Sequence, residues 1–180
     1  LFVVYGAVGF VVWLLYLRLP MPPIQAPPNP PVPLGPSRGI VVRLAALFSI
    51  DAFAGGLVVQ SLLALWLFQR FGLSLSAAGA FFFWAGMLTA ISQLAAPWVA
   101  HRIGLLNTMV FTHIPSSMAL IAAAFASQVE VALGLLLLRA ALSQMDVPTR
   151  SAFVMAVVTP AERAAAASYT SVPRSLASAL

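Results

Sequence analysis

Arg139, Ser143, Asp146 and Arg150 recur at offsets 0, 4, 7 and 11 inside a segment otherwise apolar enough to cross a bilayer. That spacing stacks four polar groups along one face of a helix. Ionisable groups in hydrocarbon cost about 2.5 kcal/mol upward, and they persist where they face a water-filled cavity, a partner charge or a substrate path. Asp51 lies within a second apolar segment, about 12 Å from its end at 1.5 Å per residue. On the same scale Arg150 lies roughly 10 Å, Asp146 roughly 16 Å and Arg139 roughly 27 Å from the corresponding end of theirs. Depth therefore matches Asp51 to Arg150, while Asp146 and Arg150 can pair at i,i+4. Arg139 has Leu135, Leu136, Leu142 and Ser143 at its own helical neighbour positions. Its counter-charge must come from water, another helix or a substrate. Two readings stand side by side: a structural interhelical ion pair, and substrate or proton coupling.

Milder polar positions surround these. Arg174 follows Pro173, whose missing N–H frees a carbonyl and kinks a helix, which suits a cavity wall or an approach to the interface. Gly86, Thr89, Gln93 and Pro97 form a weaker stripe that either lines the same cavity or bonds to neighbouring helices. His113, beside Pro115 and among Thr112, Ser116 and Ser117, reads as a neutral packing residue rather than a proton relay. No acid stands at metal-ligand spacing from His113 or His101, so no metal and no other cofactor is expected. Ala52 and Gly56 make a small-xxx-small pair for close helix packing, with Gly55-Gly56 as a hinge in the sharper reading. No nucleophile elbow, P-loop or paired-carboxylate motif is present, and the chain does not read as an enzyme.

The elements that must hold these residues follow from composition. The chain is 62% hydrophobic and 7% charged, with a mean hydropathy of +1.01. Several apolar runs of about 20 residues exclude an ordinary soluble globule. The +5 net charge comes from arginine without lysine; arginines gathered at segment ends point to membrane topology, not nucleic acid. Absent cysteine excludes disulfides and thiolate sites. Six spans are predicted, at about 1–17, 43–69, 76–100, 105–127, 131–157 and 160–180. Residues 1–18 are expected to close one helical bundle, 19–42 to form a proline-rich linker in polyproline II, and 43–180 to form a second bundle. Gly72 and Ser74 predict a tight turn, and Thr159-Pro160-Ala161-Glu162 a capping box. Arg18, Arg38, Arg43, Arg102 and Arg163 on one side make that side, with the linker, cytoplasmic by the positive-inside bias. A start without methionine and an end inside an apolar run imply an internal fragment of a longer protein. Absent lysine with abundant alanine fits GC-rich coding DNA and hence a bacterial source, with a bacterial inner (plasma) membrane as the expected location.

The segment Ala96-Pro97-Trp98-Val99-Ala100-His101-Arg102-Ile103-Gly104 resembles the degenerate second-half copy of the Gly-x-Leu-Ala-Asp-Arg-x-Gly-Arg-Lys loop of the major facilitator superfamily. Arg102 and Gly104 match; Pro97 replaces the first glycine and His101 the acid. The run from Arg139 through Asp146-Val147-Pro148-Thr149-Arg150 to Pro160-Ala161-Glu162-Arg163 is similar to that family's arginine-bearing helix and its following turn. The resemblance implies an all-α polytopic bundle, with the spans as helices six to eleven of twelve. It places Asp51 and the Arg139 stripe on the cavity-lining seventh and tenth helices, makes Arg102 and Gly104 a cytoplasmic gating loop, and puts His113 on a peripheral helix. It further implies secondary active transport of a small molecule by alternating access, coupled to protons through Asp51 or Asp146. The partners implied are the lipid bilayer, that substrate and the missing helices of the same protein. A receptor or scaffold on the same fold, using the linker for docking, is the alternative.

Overall fold

The computed structural model describes residues 2–20 and 32–179, and everything described is helix, turn or irregular chain. The chain divides into two units, Leu1–Pro30 and Pro31–Leu180. The first carries α1 (Phe2–Arg18), whose described side chains are exposed along its whole length. The middle of the expected polyproline II path, residues 21–31 with Gln25, falls outside the described residues.

The second unit carries α2 (Arg38–Gly56), α3 (Gln60–Phe71), α4 (Leu75–Ile103), α5 (Leu105–Phe125), α6 (Val129–Ser143), α7 (Asp146–Val157) and α8 (Arg163–Ala177). Helix therefore begins at Arg38, inside the stretch expected to be linker. Four stretches are long and apolar enough to cross a membrane: Arg38–Phe71, Leu75–Ile103, Leu105–Phe125 and Val129–Val157. The chain thus has the build of an integral membrane protein.

Burial supports this from the inside. Leu75, Leu94 and Phe125 are more than four-fifths exposed, while Thr108, Thr112, Ser116, Ala119 and Ala123 fill one buried face of α5. Where the outside is hydrocarbon, leucine gains little by turning inward, and small residues win the interfaces because they let backbones approach. The two threonine hydroxyls on this face are satisfied within their own helix, Thr108 and Thr112 donating to the carbonyls of Gly104 and Thr108 at 2.8 and 2.7 Å. That face packs chiefly on α6, and α2 packs chiefly on α8.

Two expected spans are each broken. The second divides into α2 and α3 at Leu57–Val59, immediately after Gly55-Gly56, where two poor helix formers meet. The fifth divides into α6 and α7 at Gln144-Met145. Pro148 supplies the reason: it has no N–H for the Gln144 carbonyl four residues back, and its ring crowds that carbonyl. The polar stripe is thus shared by two helices instead of lying on one.

Other turns follow their local chemistry. Gly72 ends α3 at φ +63°, donating to the Phe68 carbonyl, and the Ser74 hydroxyl caps α4 by accepting from Ala77 N at 3.2 Å. The 96–103 segment, expected as a loop, continues α4 as helix to Ile103, and the chain turns at Gly104, φ +88°. The Thr159–Glu162 box is rearranged as well. Pro160–Glu162 forms a single 3-10 turn, so the last helix begins at Arg163. Thr159 Oγ1 donates to Glu162 Oε2 at 2.8 Å, while Glu162 Oε1 accepts from Gly35 N. Thr159 N donates to Ser37 Oγ at 3.4 Å and Val32 N to the Ala161 carbonyl at 3.3 Å. Glu162 thereby ties the end of the linker to the start of the last helix, a contact 127 residues apart.

Candidate functional site

Two apolar clusters occupy the two ends of the bundle. Val41, Phe48, Val154, Val158 and Ala166 form one, with Met109 against it; Leu67, Phe81, Ala123 and Leu136 form the other, with Leu63, Leu120 and Leu133. Between them, α2, α5 and the α6–α7 pair change from apolar residues to ionisable ones. Asp51 stands between Phe48 and Leu63, His113 between Met109 and Leu120, and Arg139, Asp146 and Arg150 between Leu136 and Val154.

There α2, α5 and α7 meet in one ion network. Arg150 donates through a single terminal nitrogen to Asp51 Oδ2 at 2.7 Å and to Asp146 Oδ2. His113 Nε2 lies 3.0 Å from Asp51 Oδ1, and its Nδ1 lies 3.9 Å from Asp146 Oδ2. Arg150 also rests its guanidinium 4.8 Å from the centre of the Phe48 ring, and its buried Nε has no partner. Depth alone had matched Asp51 with Arg150; Arg150 in fact bridges both acids. His113 is the residue misjudged from sequence. It stands within this network instead of serving packing alone, because Asp51 and Asp146 reach it from other helices. Spacing along one chain cannot register that. The same three residues offer metal-ligand atoms within 4.8 Å of one another. A divalent cation there would have to displace Arg150, which already holds both carboxylates.

A cavity of about 460 Å³ opens beside the network. Asp51, Arg139, Ser143, Asp146, Arg150 and Arg174 all line it, and so do both helix breaks, through Gly55, Gly56, Val58 and Gln60 on one side and Gln144 and Val147 on the other. Of the weaker stripe, Gly86 and Thr89 line an adjoining cavity of about 230 Å³ that shares Gln60, Arg139, Ser143 and Gln144 with the first. Thr89 donates to the Ala140 carbonyl at 3.3 Å. Gln93 is exposed on α4 and lines neither cavity, one turn too far along. Arg102 lies outside too, exposed, with its guanidinium 4.8 Å from the centre of the Trp98 ring. Close packing at Gly56 is real: a Cβ there would come within 3.0 Å of the Ser178 carbonyl oxygen. Helix break and close approach coincide at this glycine.

Comparison of the chain with protein-family models, curated proteins and solved structures finds no match.

Proposed function

We propose that the chain is part of a secondary transporter that moves a small molecule by alternating access, with the 460 Å³ cavity as its substrate site. The observation that carries this reading is the coincidence of two broken spans with a charged cavity between two apolar ends. Continuous helices satisfy their own backbone; breaks at membrane depth persist where they line a cavity or bind something. The volume lies within the range of small-molecule sites. The resemblance of Arg102-Ile103-Gly104 and of the Arg139–Arg163 run supports placing the protein in the major facilitator superfamily. On that reading it sits in a bacterial inner membrane, its linker is cytoplasmic, and its other helices complete the cavity.

Alternating access is testable without knowing the substrate. This chain has no cysteine; with any cysteine elsewhere in the complete protein replaced, a single thiol at Ser143→Cys reports on the cavity alone. Membrane-impermeant maleimide should label it from either face of sealed, oriented vesicles, and crosslinking one face shut should abolish labelling from that face only. Labelling from one face under every condition would favour a receptor or scaffold over a transporter.

A further inference from the structure

We infer that the cavity selects an anion, a small molecule bearing a carboxylate or phosphate, gripped by Arg139 and Arg174. Three guanidinium groups line the cavity against two carboxylates. The carboxylates are spoken for: Asp51 and Asp146 both accept from Arg150, and His113 stands against them. Among the described residues, the ion pairs include neither Arg139 nor Arg174. Each is half-buried, Arg139 at the depth of the α6 break and Arg174 on α8. A half-buried cation that no acid of this chain neutralises is unfavourable, and an anion entering the cavity supplies the counter-charge.

Helix dipoles do not reverse this sign. Each break sets a helix C-terminus beside an N-terminus, Gly56 before Gln60 and Ser143 before Asp146. Their partial charges largely cancel, which leaves the formal charges to decide. Gln60, Ser143 and Gln144 add neutral donors on the same wall. Guanidinium geometry favours planar, two-oxygen acceptors, which carboxylate and phosphate both provide.

The inference rests on this cavity being the substrate site, and binding and flux separate the two. The protein in lipid nanodiscs is titrated calorimetrically with inorganic phosphate, succinate and choline at constant ionic strength. Phosphate or succinate should bind and choline should not; whichever anion binds identifies the acceptor chemistry. Arg139→Gln and Arg174→Gln should each weaken that binding about tenfold or more, with Arg70→Gln, at the exposed end of α3, unchanged. Should Arg139→Gln fail to insert, Arg139→Lys keeps the charge, loses the two-pronged geometry and should still weaken binding. Preference for choline, anion binding that survives both arginine substitutions, or no anion binding would overturn the inference. Anion binding without flux in proteoliposomes would keep the anion site and remove the transporter reading. Flux of neutral or cationic solutes, indifferent to anions, would do the reverse.

Discussion

Arg150 is the residue on which the network turns, because one guanidinium nitrogen serves two acids. Removing it leaves two carboxylates facing each other with little water around Asp146, whose side chain is 6% exposed against 32% for Asp51. Breaking a buried pair this way costs about 3–5 kcal/mol. Arg150→Ala should therefore melt well below the parent in detergent. Adding Asp146→Asn should recover more stability than adding Asp51→Asn, since the drier acid suffers more from standing alone. An Arg150→Ala protein that melts like its parent would reduce the residue to an interfacial anchor. Glu162, outside the spans, makes a prediction of a different kind. Hydrogen bonds from Ser37, Gly35 and Thr159 hold its carboxyl below the ordinary value of 4.5. A lowered folded value means stability that is fully present above the unfolded carboxylate value and lost as pH falls through the folded one. Melting temperature should drop on acidification below about pH 4.5, and Glu162→Gln should flatten that part of the profile while lowering stability at neutral pH. An unchanged acid limb in Glu162→Gln would mean that the tie between linker and last helix contributes nothing.

Two adjacent glycines separate two effects at the scale of the element. A Cβ on Gly55 would meet nothing within 4 Å, whereas one on Gly56 would press on the Ser178 backbone. Gly55→Ala should stabilise α2 by up to about 1 kcal/mol through helix propensity. Gly56→Ala should cost about 1–3 kcal/mol because α8 must move away. Melting temperatures of the two variants should shift in opposite directions; equal shifts would mean that α2 and α8 are not held at this distance. Of the element boundaries, those set by local chemistry were legible beforehand. Gly72 and Ser74 define their turn from sequence, because positive φ and an N-cap hydroxyl are properties of a few neighbouring residues. Gly55-Gly56 marked the first break only as a candidate hinge, and the break at Gln144 went unread, since the long apolar flanks dominate hydropathy, which does not sense a missing N–H. Pro148 was the available signal for the second.

For the whole molecule, the arginine distribution makes a claim about sidedness. Asn107→Cys, just beyond the Gly104 turn, should react with impermeant reagents from the cytoplasmic side, and Gln128→Cys, before α6, from the opposite side. Reversed labelling in intact cells against inverted vesicles would overturn that topology. The sequence by itself determined that the chain is helical and built for a bilayer, because length and apolarity of a run are additive properties of consecutive residues. It also marked Asp51, Arg139, Asp146, Arg150 and Arg174 as out of place in hydrocarbon, because their desolvation cost needs no knowledge of neighbours. Only the tertiary structure decided which of them meet. It brought Asp51, His113 and Arg150 together from three helices, and left Arg139 and Arg174 lining the cavity outside that network. It also left Gln93 outside the cavity altogether. Pairing depends on how each helix is rotated and where it breaks. Those are set by small-residue contacts such as Gly56 on Ser178, whose partners lie far apart in the chain.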